Sequence, residues 1–253
     1  MLGSMTMRVI SLVPSLTEAV AVTVPGVLVG VTDWCSHPAD LGAGVVRVGG
    51  TKNPKVERIV ELAPDLVVAN EEENRAPDLA ALRTAGIEVL LTEVRDVPQA
   101  FRELARVVTA CGAESRPRWL DEAETAWAAP ERWWPTGADR RTTAVVPIWR
   151  RPWMVLGRDT FAGDVLARLG VDNAYAGHAE RYPRVPVEEL RAAARTGMVI
   201  LPDEPYRFTA QDGPEEFEGL PCALVSGRHL TWYGPSLAAA PRVLGEALRA
   251  ARR

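Results

Sequence analysis

The feature that most constrains the fold is an alternation of short apolar runs with amphipathic segments through the first half of the chain. Apolar runs typical of buried strands lie at 9–13, 27–31, 45–48, 66–69 and 87–91. Helical patterns separate these runs at 16–22, 55–62, 78–85 and 98–111. Because strands that alternate with helices form parallel sheets covered by helices, residues 7–112 predict one α/β lobe. Ser15 followed by Glu18 matches a capping box, which predicts Ser15 as the N-cap of the first helix.

The second half repeats this order with fewer elements. Apolar runs lie at 143–148, 198–201 and 222–225, and helical patterns lie at 160–169, 187–194 and 237–251. Between the halves, residues 114–129 have helical spacing with charged outer faces. The sequence therefore predicts an α/β fold of two lobes with mostly parallel sheets, joined by one long connecting helix. The predicted boundaries are 7–112 for the N-terminal lobe, 113–140 for the connecting helix and loop, and 141–253 for the C-terminal lobe.

Charge and residue spacing exclude several classes of function. The formal net charge is -4 and no basic stretch occurs, which argues against nucleic acid as a partner. No apolar run reaches about 20 residues, so membrane insertion is not expected. The cysteines are three in number and far apart, which favours free thiols in a reducing compartment over a zinc site. The three histidines lack metal-ligand spacing, so neither a protein-bound metal nor a cofactor is expected.

The N-terminal residues bear on the compartment. Methionine occurs at positions 1, 5 and 7, and the first strand pattern begins at Val9. No charged segment followed by a longer apolar run and a small-residue cleavage site is visible, as a secretion signal would require. A native start at Met5 or Met7 therefore predicts a cytoplasmic protein, whereas a removed signal would predict an exported one.

Aromatic and charged residues gather where the predicted strands end. Ligands of open parallel sheets bind beyond the carboxyl ends of the strands. Aromatic side chains with a few polar groups at converging loop tips are typical of small-molecule pockets. We therefore predict a ligand cleft between the lobes. Its expected contacts are Trp34, Lys52, Glu72, Trp153, Asp203, Arg207, Arg228 and Tyr233.

Plainer interpretations of the same residues exist. The tryptophans that follow strand ends would then only cover the edges of the lobes, and they are Trp34, Trp149, Trp153 and Trp232. No catalytic residue is predicted, because Cys35 and His37 are close in sequence and lack a third orienting group. The acidic run Glu71–Glu73 is typical of a solvated loop.

Five motifs follow one another along the chain. The first two are RVISLVPSLTE at 8–18 and VGVT at 29–32. The most specific is ERIVELAPDLV at 57–67. The last two are LRTAGIEV at 82–89 and the segment 158–173. In this order the motifs resemble those of the cobalamin- and siderophore-binding proteins of ABC importers, the helical-backbone metal receptors. The resemblance covers nearly the whole chain.

This resemblance implies two lobes joined by one long helix and a rather rigid binding protein without chemistry of its own. Aromatic side chains from both lobes sandwich the corrin in cobalamin-binding members, and Trp34, Trp153 and Tyr233 stand near the matching loops. Those members also dock onto arginines of the membrane permease through one exposed Glu on each lobe. Glu57 and Glu188 fall in similar places. The alternative for both is an ordinary surface carboxylate in the first turn of a helix.

These observations leave two main hypotheses for function. The first is a small-molecule binding protein that closes on a cobalamin-like or metal-chelate ligand between the lobes, with an ABC permease as partner. The second is a cytoplasmic enzyme or carrier on the same scaffold that acts on a small carboxylate-bearing molecule. A direct metal-ion receptor is a third, weaker one. The strand-end loops are more charged than a corrin face requires, so we expect a carboxylate-bearing ligand, bound through Arg207, to bind more tightly than cobalamin.

Overall fold

The computed structural model describes residues 7–133 and 141–251, and the chain separates into two compact units. Within the described part, the first unit contains residues 7–94, 98–121 and 233–235. The second unit contains residues 95–97, 122–133, 141–232 and 236–251. Two short segments, 95–97 and 233–235, therefore belong to the unit built mainly from the other half of the chain.

The first unit is built on a parallel sheet of five strands. They are β1 Val9–Ser11, β2 Leu28–Val31, β3 Val46–Arg47, β4 Leu66–Asn70 and β5 Val89–Thr92. Their spatial order is β3-β2-β1-β4-β5, and every described pairing in this sheet is parallel. The parallel sheet predicted from the alternation of strands and helices is confirmed for this half.

Helices follow these strands as the sequence pattern predicts. They are α1 Pro14–Thr23, α2 Val56–Glu61, α3 Ala76–Thr84, α4 Val97–Ala110 and α5 Arg118–Ala128. The predicted capping box is wrong, because α1 begins at Pro14 and its N-cap is Val13, without a side-chain hydrogen bond. Proline is favoured at the first helical position, where its fixed φ suits a helix and its missing N–H has no partner to lose. The chain passes from the first unit to the second within α5, between Asp121 and Glu122.

The second unit contains a smaller parallel sheet and a hairpin. Its strands are β6 Thr142–Val145, β7 Pro147–Trp149, β8 Met154–Val155, β9 Val171–Asn173, β10 Met198–Pro202 and β11 Cys222–Val225. The parallel sheet has the order β11-β10-β6-β9, and β7 pairs with β8 in an antiparallel hairpin. The single strand predicted at 143–148 is therefore two strands, β6 and β7.

The described helices that follow β8 in the chain lie in the second unit. They are α6 Phe161–Arg168, α7 Val187–Ala194, α8 Gly227–Thr231 and α9 Ala240–Ala250. Single turns of 3-10 helix lie at Pro130–Arg132, Pro214–Phe217 and Pro235–Ala238. The predicted closing helix at 237–251 is therefore a 3-10 turn followed by α9. None of the described helices combines the length and apolar character that crossing a membrane would need.

Each unit has its own apolar core between sheet and helices. In the first unit, Ile10, Val67 and Leu82 are fully buried in one cluster. In the second, Val199 and Leu190 belong to the corresponding cluster. Burying a side chain of this kind contributes about 1.5–3 kcal/mol, so these contacts fix how the helices lie on each sheet.

The strand orders show where each sheet can take a ligand. In the first unit, β1 pairs with β2 on one side and with β4 on the other. In the second, β6 pairs with β9 and β10 in the same way. Later strands of each sheet lie first on one side of this central strand and then on the other, which opens a crevice beyond its carboxyl end. The loops after β1, β4, β6 and β10 therefore border these crevices.

Candidate functional site

Two buried asparagines organise the carboxyl ends of the strands in the first unit. The Asn70 side-chain amide donates to the carbonyl oxygen of Thr92 at 3.1 Å, and its oxygen accepts from the N–H of Glu72 at 2.9 Å. The Asn74 amide donates to the carbonyl oxygens of Leu12 at 3.2 Å and Thr51 at 3.0 Å. These bonds join the ends of β1, β4 and β5 with the loop that follows β3.

A second contact, at the protein surface, links the loop after β3 to the loop after β4. The structure brings the predicted ligand residues Lys52 and Glu72 together, since the Lys52 ammonium donates to the main-chain carbonyl oxygen of Glu72. Lys52 is exposed and Glu72 is half-buried. Lys52 therefore links the loop after β3 to the loop after β4 in this arrangement.

Trp34 is the most exposed large apolar side chain of the first unit. Its relative exposure is 68%. Its indole nitrogen would lie 3.6 Å from a Cβ atom placed on Gly50, so the ring rests beside the loop after β3. The Arg47 guanidinium donates to the carbonyl oxygens of Thr32 at 2.6 Å and Cys35 at 3.0 Å, which fixes the main chain on both sides of Trp34. The exposed ring is therefore carried by an anchored loop.

The surroundings of the Cys35 thiol indicate a structural role. It is fully buried, and its sulfur lies 3.0 Å from the hydroxyl of Thr17 and 3.2 Å from that of Thr32. Burial raises the pKa of the Cys35 thiol, against the lowering effect of the two hydroxyls. A thiol with a raised pKa carries little thiolate at neutral pH, so Cys35 is poorly suited to act as a nucleophile.

In the second unit, a buried cation joins the hairpin to the segment that follows β10. Arg150 is only 8% exposed, and its guanidinium contacts the carboxylates of Asp212, of Glu215 at 2.6 Å and of Glu216 at 2.9 Å. The hydroxyl of Tyr206 donates to Asp212 at 2.6 Å. This hydrogen bond and the charge of Arg150 lower the pKa of Asp212 below its ordinary value. The tip of the hairpin is thus held by three carboxylates.

Aromatic rings pack around this ion cluster. Trp153 stacks on Phe208 with ring centres 5.9 Å apart, and Phe217 meets it edge-on at 5.7 Å. The Arg150 guanidinium also lies over Trp153, at 5.3 Å from the ring centre. Trp153, predicted as a ligand contact, is therefore half-buried and engaged by several side chains.

Trp149, at the end of β7, has a more exposed ring than Trp153. It is 43% exposed and meets Tyr206 edge-on, with ring centres 5.7 Å apart. The sequence placed Trp149 among the strand-end tryptophans, but nothing in the pattern separated its surroundings from those of Trp153. The register of the hairpin explains the difference between the two rings. Trp149 pairs with Met154, and Trp153 is the residue before Met154, so the two tryptophan side chains point to opposite faces.

The loop after β10 is bound to the start of α8. A carboxylate oxygen of Asp203 accepts from the N–H of Gly227 at 2.6 Å, and Glu204 accepts from the Trp232 indole N–H at 2.8 Å. A Cβ atom on Gly227 would lie 2.5 Å from the main-chain nitrogen of Glu204, so only glycine allows this approach. The Arg228 guanidinium lies 6.0 Å from the centre of the Trp232 ring. Asp203 and Arg228, both predicted ligand residues, thus have partners within the protein.

The remaining predicted contacts differ in exposure. Arg207 is exposed, and within the described ranges it makes no hydrogen bond or ion pair. Tyr233 is only 7% exposed and belongs to the first unit. The next residue, Gly234, packs closely on that unit, since a Cβ atom there would lie 3.0 Å from the carbonyl oxygen of Ser15.

The two predicted docking carboxylates lie on helices. Glu57 is exposed in the first turn of α2, and Glu188 is exposed in the first turn of α7. Both positions are favourable for a carboxylate because of the helix dipole. Their placement is compatible with docking and with a plain surface role.

The loops of the second unit place one histidine in a defined polar contact. His229 lies 2.8 Å from the hydroxyl of Ser226, and burial lowers the pKa of its imidazole. Among residues 7–133 and 141–251, no group of three or more His, Cys, Asp or Glu side chains is arranged to hold a metal ion. What the strand ends offer is exposed indole rings on anchored loops.

Comparisons with known proteins relate the chain to a family of binding proteins. The model of a family described as periplasmic binding protein matches residues 9–219. A vitamin B12-binding protein of Vibrio parahaemolyticus is 25% identical over 188 residues. That match covers 72% of this chain and 66% of the relative, so it spans just under two thirds of the relative's length.

Solved structures with the same fold cover nearly the whole chain. The apo periplasmic heme-binding protein RhuT from Roseiflexus sp. RS-1 superposes with a TM-score of 0.80 at 21% identity, covering 98% of this chain and 100% of that one. The periplasmic heme-binding protein BhuT in complex with two hemes gives a TM-score of 0.79 at 25% identity, covering 97% and 99%. The similarity to RhuT establishes the fold alone.

Proposed function

Because the chain belongs to the periplasmic binding protein family, we propose that it binds a cobalamin-like compound or another metal chelate through the aromatic side chains that follow its strands. The observation that carries the proposal is the indole of Trp34, which is 68% exposed on an anchored loop after β2. A flat ligand that covers such a ring removes apolar surface from water and gains ring stacking. The related B12-binding and heme-binding proteins have ligands of this planar, metal-containing kind.

The second unit contributes a comparable surface at Trp149. Its ring is 43% exposed and is supported edge-on by Tyr206. We place the stacking contact of this unit on Trp149, because Trp153 is already engaged by Phe208 and by the Arg150 guanidinium. Trp153 then supports this surface indirectly, because it stacks on Phe208, which contacts Tyr206.

The charged residues divide into two groups under this proposal. Lys52, Asp203 and Arg228 have partners within the protein and act mainly by holding the loops. Arg207 is exposed without an ion pair among the described residues and is the candidate to meet a negative group of the ligand. Its planar guanidinium suits forked pairing with a carboxylate.

The partner we propose is an ABC permease, with Glu57 and Glu188 pairing with its arginines. Both carboxylates are exposed in the first turns of their helices. A charge swap tests this: Glu57→Arg should weaken association, and the matching arginine-to-glutamate change in the permease should restore it. Association unchanged by Glu57→Arg would return Glu57 to a plain surface role.

The enzyme alternative is not favoured. The family comparison and the ligands of the related proteins point to binding. The histidine nearest a serine hydroxyl, His229, makes that contact to Ser226 one helical turn away, while the Gly227 N–H beside it is occupied by Asp203. The Gly227 N–H is therefore not available to stabilise an oxyanion formed at Ser226.

Calorimetric titration with cyanocobalamin, hemin and ferric desferrioxamine tests the proposal. We expect at least one of these probes to bind, and Trp34→Ala to weaken that probe about tenfold. One stacked ring is worth about 0.5–1.5 kcal/mol beyond its area, and the apolar area that the ring covers adds to this. Val22→Ala, which shortens an exposed side chain on α1, is the control and should leave binding unchanged. Failure of all three probes to bind, or equal binding by the Trp34→Ala protein, would overturn the proposal.

A further inference from the structure

The buried side chain of Asn74 bonds to three separate parts of the first unit. It is 4% exposed. Its amide nitrogen donates to the carbonyl oxygens of Leu12 at 3.2 Å and Thr51 at 3.0 Å, and its oxygen accepts from the N–H of Asn70 at 2.9 Å. A primary amide offers two donors and an acceptor in one plane. Aspartate has the same shape without the donors, so the position requires asparagine.

A short path leads from Asn74 to the exposed ring of Trp34. Asn74 donates to the carbonyl oxygen of Thr51. The neighbouring Gly50 lies beside the Trp34 ring, since a Cβ atom placed on Gly50 would be 3.6 Å from the indole nitrogen. The other side of the Trp34 loop is held independently by Arg47. The surface against which the indole rests is therefore the loop that Asn74 fixes.

The second tie between these loops differs in its surroundings. Lys52 is exposed where it donates to the Glu72 carbonyl oxygen, so water competes for both partners. The bonds of Asn74 are formed where water is excluded, and breaking one leaves a buried polar group without its partner. Asn74 therefore constrains the loops more strongly than Lys52 does.

We propose that Asn74 is a positioning residue, which holds the loop after β3 so that Trp34 presents its ring to the ligand before any ligand arrives. The inference rests on the proposed function for its consequence, since a preformed surface lowers the cost of ordering side chains on binding. Asn74 itself does not contact the ligand. Its effect on affinity passes through Gly50 and Trp34.

A double-mutant cycle in ligand affinity tests this path. The variants are Asn74→Ser, Trp34→Ala and the pair, titrated with cyanocobalamin and with hemin. Asn74→Ser should weaken a bound probe about tenfold when Trp34 is present and less than about twofold in the Trp34→Ala protein, because coupled residues give non-additive effects. Asn53→Ser is the matched control, an exposed asparagine of the same loop, and should have no effect. Equal weakening in both backgrounds would overturn the proposal.

A second measurement needs no ligand and separates this inference from the proposed function. In protein labelled with 5-fluorotryptophan, the ¹⁹F resonance of Trp34 is identified by its loss in Trp34→Phe. Asn74→Ser should shift that resonance and leave the resonance of Trp149 in place. An unmoved Trp34 resonance in folded Asn74→Ser protein would overturn the positioning role, whatever the probes do.

If Asn74→Ser does not fold, Gly50→Ala examines the same path from its other end. The added Cβ meets the indole nitrogen at an ordinary contact distance and leaves the buried bonds of Asn74 untouched. It should shift the Trp34 resonance and change probe affinity only when Trp34 is present. Failure of all probes to bind, with the Trp34 resonance shifted as expected, would refute the proposed ligand class and leave the positioning role standing.

Discussion

Replacing Arg150 with methionine removes a cation that contacts three carboxylates of the second unit. Arg150 is 8% exposed, and its contacts reach Asp212, Glu215 and Glu216. Methionine keeps an unbranched apolar stem but lacks the guanidinium, so the change removes the charge and its hydrogen bonds. The three carboxylates then face one another without the guanidinium between them.

The magnitude follows from what each carboxylate retains. Removing one partner of a fully buried ion pair costs about 3–5 kcal/mol. Here Asp212 keeps the Tyr206 hydroxyl, Glu216 keeps Arg191 at 2.9 Å, and all three carboxylates are at least 30% exposed and can rehydrate. We therefore expect a loss of about 2 kcal/mol, which corresponds to roughly 4–8 °C in the melting temperature for a protein of this size.

Urea unfolding at neutral pH measures this loss directly. Arg207→Met is the matched control, since Arg207 is an exposed arginine without an ion pair in the described part of the chain, and it should change stability by less than about 0.5 kcal/mol. Arg150→Lys should fall between the two, because an ammonium cannot bridge three carboxylates as a planar guanidinium does. Arg150→Met protein as stable as the wild type, or a loss just as large in Arg207→Met, would refute the reasoning.

Two further predictions concern pH and packing. The Tyr206 hydrogen bond, followed by Arg150, lowers the pKa of Asp212, so its stabilising effect is full at neutral pH and is lost as pH falls through that lowered pKa. The stability difference between wild type and Asp212→Asn should therefore shrink below about pH 4, and a constant difference in unfolding experiments would contradict this. Gly197→Ala should cost about 2 kcal/mol or more, because its Cβ would lie 1.9 Å from the Thr143 carbonyl oxygen. Gly177→Ala, which has open space around it, is the control, and equal stability of the two variants would show that the chain yields at Gly197.

The fold could be predicted from the sequence because burial leaves a local trace. Every residue of β4, Leu66–Asn70, is buried, and residues 66–69 form a continuous apolar run in the sequence. The family resemblance, read mainly from residues 57–67, is confirmed by the match to residues 9–219. The hairpin of β7 and β8 was missed because residues 144–149, which include the end of β6 and all of β7, form one apolar run that pattern alone does not divide.

The details of the site could be predicted only in part. Trp34 was expected at a strand end because an aromatic residue after an apolar run is visible locally. Asn74 was not expected, since its partner Leu12 is 62 residues away and an asparagine beside three glutamates gives no local signal. The role of Arg150 was not expected for the same reason, since its carboxylate partners are 62 to 66 residues away. Contacts between distant segments determine these roles.

The partners of the loop charges change what the sequence implied about the ligand. Five charged residues at strand ends suggested a ligand that must satisfy several charges, because burying unpaired charges is costly. Lys52 instead bonds to a carbonyl oxygen and Asp203 to a main-chain N–H, while Arg228 lies against the Trp232 ring. These groups need no ligand to offset their charge, and Arg207 alone among the candidate cations has no such partner within the described residues. A largely apolar, flat ligand with one negative group beside Arg207 would therefore satisfy the loops, and the charge of the strand ends is no argument against a macrocyclic metal chelate.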